Sequence, residues 1–125
     1  MDYEFAVIRA VPHVHLGTFV PVGVVVHARR APFLALRALT DVPMLRERIP
    51  GVDAELLARY LDACAAVCRG DPSAGPVALA PTSERFHWIT APRSDSLQSS
   101  PVHEGMCADP AHALDALYES YVGPG

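Results

Sequence analysis

The chain has 125 residues, of which 14 are acidic and 10 basic, with a formal net charge of −4. That length suits one domain and buries roughly 65–70 % of the extended surface, so a core forms without staples. Half of the residues are hydrophobic and 19 % are charged, which excludes a disordered chain, and the acidic balance argues against a nucleic-acid or anionic-membrane binder.

All ten basic residues are Arg, and neither Lys nor Asn occurs. This excludes Schiff-base chemistry, a lysine base and a P-loop. The three Cys are an odd number. Asp2 and Glu4 stand where a signal peptide would carry positive charge. No apolar run approaches the length of a membrane span. The expectation is a cytoplasmic protein with reduced thiols and no cofactor.

Tyr3 to Val11 reads as a strand stopped by Pro12. Phe19 to Ala28 is the most β-rich run, and Gly23 within it predicts a bulge or a close backbone approach. Phe33 to Leu39 suits a strand or a helix; the short Pro-bearing turn before it favours a hairpin with the Val-rich strand. Asp41 caps a short helix over Val42 to Arg48, and Pro50-Gly51 breaks it. A longer helix runs from about Asp53 to Arg69. Its apolar stripe is Leu56, Leu57, Tyr60, Leu61, Cys64, Val67 and Cys68, with Asp53 as cap and Gly70 as stop.

Asp71 to Pro76 is a loop. Val77 to Ala80 and Phe86 to Thr90 read as short strands, the latter with Phe86, Trp88 and Thr90 on one face. Ala91 to Gly105 shows neither period. A final helix begins at Asp109-Pro110 and presents Ala113, Leu114, Leu117, Tyr118 and Tyr121. The order predicts a single α+β domain over residues 1–125, an antiparallel sheet with two main helices packed on one face.

The densest polar stretch is Ser83 to Gly105. Arg93 followed by small hydroxyls suits an anion clamp, in which a guanidinium fork meets a carboxylate or phosphate. Arg85 offers a second fork, and Ser94, Gln98 and His103 would orient the ligand. No Gly-x-Ser-x-Gly elbow is present for a Ser/His pair. His13-x-His15 lacks a third ligand at a recognisable spacing, so no metal site is expected. Cys64 and Cys68 share an apolar stripe and read as core residues. His27 and His112 suggest no site.

Two blocks carry a family resemblance. Tyr3-x-Phe5-Ala6-Val7-Ile8-Arg9-x-Val11-Pro12 is followed by Gly17-x-Phe19-Val20-x-Val22-Gly23-Val24-Val25. Later come Ser83-x-Arg85-Phe86-x-Trp88-Ile89-Thr90-Ala91-Pro92-Arg93-Ser94 and Gln98-x-Ser100-Pro101-Val102-His103-x-Gly105. The chain resembles a bacterial family catalogued as domain of unknown function 3037. It departs from the family pattern at Pro21, where a polar Asn is usual, and around Leu16 and Thr18. The resemblance implies no established activity. It implies a partner role, because family members resemble genes found beside a HipA-like kinase.

The expected function is a non-catalytic binding or accessory protein. It would recognise an anionic ligand or a protein partner, such as that kinase, through the Arg85–His103 loop. The alternative is a small enzyme with His103 as general acid or base and Arg93 as anion stabiliser. A homodimer through the Val-rich hairpin is a third reading.

Overall fold

The computed structural model describes residues 1–12, 18–91 and 97–124. Three consecutive strands open the chain: β1 (Asp2–Ala10), β2 (Val20–Ala28) and β3 (Phe33–Ala38). Two helices follow, α1 (Val42–Arg48) and α2 (Ala54–Arg69). After two 3-10 turns comes α3 (Thr82–Thr90), then the short strands β4 (Leu97–Ser99) and β5 (His103–Met106), and finally α4 (Pro110–Tyr121). The described strands form one antiparallel sheet in the order β3-β2-β1, with β4 and β5 both added to the outer edge of β1. The α+β architecture follows directly from the run of hairpin-connected strands ahead of the helices.

Local chemistry sets the helix ends. The carboxylates of Asp41, Asp53 and Asp109 accept the backbone N–H of Met44, Leu56 and Ala111 at 3.0, 3.1 and 3.0 Å, each satisfying an otherwise orphaned donor. Gly70 closes α2 in the left-handed conformation, at φ 72°. Asp71 caps the next turn. The hydroxyl and the backbone N–H of Ser73 hold its carboxyl below the usual range.

Phe33–Ala38 is a strand, which resolves the ambiguity in favour of the hairpin. The sheet register shifts opposite Ile8 and Arg9, which pair with Gly23 and Pro21 and leave Val22 as the extra residue of a bulge. A Cβ on Gly23 would stand 3.1 Å from the Arg37 carbonyl oxygen, so the expected close approach is also present.

Three expectations are corrected. The helices do not share one face. His27 bonds to Thr82 of α3, and Ile8 shares a pocket with Cys64 of α2 and Ile89 of α3. On the opposite face, Phe5 meets Tyr121 of α4, and Arg37 meets Asp115 and lies over the Tyr118 ring. Thus α2 and α3 cover one side and α4 the other. The cause lies in β2, where every residue from Val22 to Ala28 is buried. A strand apolar on both sides needs a layer on each.

Phe86–Thr90 belongs to helix α3 rather than a strand. Its β-prone composition misleads, but Phe86 and Ile89, three apart, are its buried residues. Val77–Ala80 lies at a 3-10 turn between Pro76 and Pro81, too short for a ladder. The core gathers Val24, Val25, Val26, Leu39, Leu45, Leu61 and Tyr118, each at most 1 % exposed.

Candidate functional site

The Arg85–His103 stretch is not one loop. It holds α3, β4 and β5, and residues 92–96 between them, with Arg93 and Ser94, lie outside the described residues, as does the His13/His15 pair. Arg85 sits on α3 with its fork turned inward. It donates to the carbonyls of Ala80 at 2.8 Å, Val67 at 3.0 Å and Cys68 at 2.8 Å. The last two lie in the final turn of α2, at its negative end, where a guanidinium is favoured.

Gln98 in β4 and His103 in β5 pair with Arg9 and Phe5. Four residues of strand separate those partners, about 13 Å, so the two side chains serve different places on the sheet edge. The His103 ring packs against Phe5 with centroids 5.3 Å apart.

The joint between β4 and β5 is built by Ser100. Its N–H donates to the Val7 carbonyl at 2.8 Å, and its hydroxyl accepts the Val7 N–H at 2.9 Å while donating to the Pro101 carbonyl at 2.9 Å. A side chain thereby stands in for a ladder acceptor where the strand jogs at Pro101.

Arg9, which sequence reasoning passed over, joins Gln98. Its guanidinium carbon lies 4.1 Å from the centre of the Phe19 ring, and one Nη donates to the Ser99 carbonyl at 3.4 Å. Its Nε is buried with no hydrogen-bond partner among the described residues. The paired signal, Arg9 in one family block and Gln98 in the other, was available only once the register of β1 and β4 was known.

His27 was also passed over. Its imidazole is fully buried. The Glu4 carboxylate meets Nδ1 at 2.8 Å, the Thr82 hydroxyl meets Nε2 at 3.1 Å, and the Phe86 ring stacks on it at 5.3 Å. With Nδ1–H donating to Glu4, Nε2 accepts the Thr82 proton, so a neutral ring is satisfied on both sides. This chain of hydroxyl, imidazole and carboxylate ties α3 to β2 and β1. Glu4 and His27 are direct cross-strand partners, a relation legible only after the hairpin register is fixed.

An open cleft of about 430 Å³ lies beside this pair, lined by Asp2, Glu4, Glu104, Arg29 and Arg30. On the α4 side a shallower groove of about 500 Å³ runs between Tyr3, Met106 and Leu117. Among the described residues no group of three His, Cys, Asp or Glu side chains could hold a metal ion, and no helix is long and apolar enough to cross a membrane.

No curated protein and no solved structure matches the chain. One family model does, that of "Protein of unknown function (DUF3037)", over residues 5–122. The match spans β1 through α4, including both strands of the Ser100 joint and the Arg9–Gln98 pair. The chain therefore belongs to the DUF3037 family.

Proposed function

We propose that the protein is a non-catalytic binding or accessory protein that recognises an anionic group at the end of the sheet where Arg9 and Gln98 meet. The group would belong to a small ligand or to a protein partner, such as the HipA-like kinase that the family resemblance implies. The observation that carries this reading is Arg9. Its guanidinium lies over Phe19 beside Gln98, and its buried Nε has no partner among the described residues. A guanidinium presents a planar fork of donors that matches a carboxylate or phosphate.

Arg93 and Ser94 lie outside the described residues and enter the proposal from the sequence, five and four positions before Gln98, as a second fork and a hydroxyl. Arg85 is committed to the α2 carbonyls and His103 to Phe5, so the proposed site consists of Arg9, Arg93, Ser94 and Gln98.

Isothermal titration with pyrophosphate, a nucleoside triphosphate and a phosphorylated HipA-like kinase tests the reading. Arg93→Ala and Arg9→Met are each expected to weaken binding at least about tenfold, the equivalent of one charge-assisted hydrogen bond. Arg93→Ala should leave Tm nearly unchanged. Affinities equal to wild type in both variants would refute the proposal.

A further inference from the structure

The far end of the same sheet edge carries a second surface, independent of the anion site. The Cys107 N–H donates to the Met1 carbonyl at 2.9 Å, and the terminal ammonium of Met1 donates to the Cys107 carbonyl, which makes Met1 and Cys107 a bonded pair. Bonded and non-bonded pairs alternate along an antiparallel ladder. Tyr3↔Gly105 and Phe5↔His103 are therefore the next bonded pairs, and Glu4↔Glu104 and Asp2↔Met106 the non-bonded ones. Hence the N–H and C=O groups of Glu104 and Met106 point away from β1. No described strand lies beyond them, and His103, Glu104 and Met106 are exposed, Met106 at 77 %.

The two sides of this bare edge differ in chemistry. On the side of the cleft, Glu4 and Glu104 stand directly opposite each other, with Asp2 beside them. Like charges facing across a ladder cost stability. Arg29 and Arg30 border the cleft but form no ion pair with these carboxylates among the described residues. On the other side stand the His103 ring and Tyr121, the latter 45 % exposed, both packed on Phe5.

We infer that β5 accepts an extended segment of a partner protein as an additional strand, with Arg or Lys side chains of the segment facing Asp2, Glu4 and Glu104 and apolar ones facing His103 and Tyr121. Main-chain bonds to Glu104 and Met106 supply the pairing, and the alternation of side chains supplies the selectivity. A second copy of this chain is the wrong occupant. Two β5 strands side by side would bring a second Glu104, Glu4 and Asp2 to the same face.

A fluorescent peptide alternating arginine and valine, titrated into the full chain and followed by anisotropy, is the direct test. Binding should protect the Glu104 and Met106 amides from hydrogen exchange. Met106→Pro removes an outward donor without breaking a bond to β1 and is expected to weaken binding at least about tenfold. Glu104→Arg should do the same and should favour a peptide alternating glutamate and valine. A control free of protein variants uses the peptide itself: N-methylation at one set of alternate positions abolishes binding, and methylation at the other set spares it.

Equal binding by both methylated peptides, equal binding by the Met106→Pro and Glu104→Arg variants, or no binding of the basic peptide overturns the inference. So does a concentration-dependent dimer that Met106→Pro dissolves. Arg9→Met and Arg93→Ala should leave peptide binding unchanged, so failure here and failure of the anion site are read separately.

Discussion

Arg85 and Arg48 perform the same task at the ends of two helices. Arg85 reaches from α3 to the last carbonyls of α2. Arg48 reaches from α1 to the Val122 carbonyl at 2.7 Å and to that of Pro124, just past α4. A planar fork satisfies two acceptors at once where an ammonium would serve as a point charge, so the absence of Lys has a structural use. Neither cap was legible in the sequence, because the acceptors lie 17 and 74 residues away. The Asp caps were legible because donor and acceptor are two or three residues apart. Cys68 follows the same logic of burial. Desolvation, with Cys64 adding to it, pushes its thiol from 9.0 up to about 12. A raised folded-state value means its contribution to stability is complete below pH 9 and is lost as pH rises through about 12. Burial of Tyr118 acts in the same direction. Denaturant melts across that range should show stability declining steadily, and iodoacetamide at neutral pH should leave Cys68 unmodified in the native protein.

Elements were legible in proportion to their length. β1, β2, α2 and α4 span 9, 9, 16 and 12 residues, enough for a period to declare itself. β4 and β5 have three and four residues and owe their existence to the edge of β1, not to their own pattern. α3 was misread because Phe, Trp, Ile and Thr favour strands in isolation. Its helical form is set by what it covers: Phe86 stacks on His27 and Ile89 lies near Ile8. At this scale Ser100 is the joint. Ser100→Ala strips the buried Val7 N–H of its acceptor and is expected to destabilise the protein by about 1–3 kcal/mol, measured by urea denaturation. Ser100→Thr, which retains the hydroxyl, should recover most of that loss.

At the scale of the molecule the sheet is a middle layer. A helix pair covers one side and α4 the other, and β2 is paired on both edges as well as buried on both faces. Native-state hydrogen exchange is expected to be slowest at the amides of Val24 to Val26 and fastest at β5, whose outer edge has no strand beside it among the described residues. The fold class was readable from the order of elements. The sandwich was not, because the choice between one covering layer and two depends on whether a continuous valine run is read as one face or two. The proposed anion site was half readable: Arg93, Ser94 and Gln98 cluster in sequence, whereas Arg9 meets Gln98 only through a pairing of chain segments 89 residues apart (98 − 9).

The position of β1 has a consequence for biosynthesis. Its inner neighbour, β2, emerges from the ribosome soon after it, but the Ser100 that completes its outer side lies 93 residues downstream of Val7. The nascent hairpin therefore waits for a closure of long sequence separation with Phe5, Val7 and Arg9 unsealed on that flank.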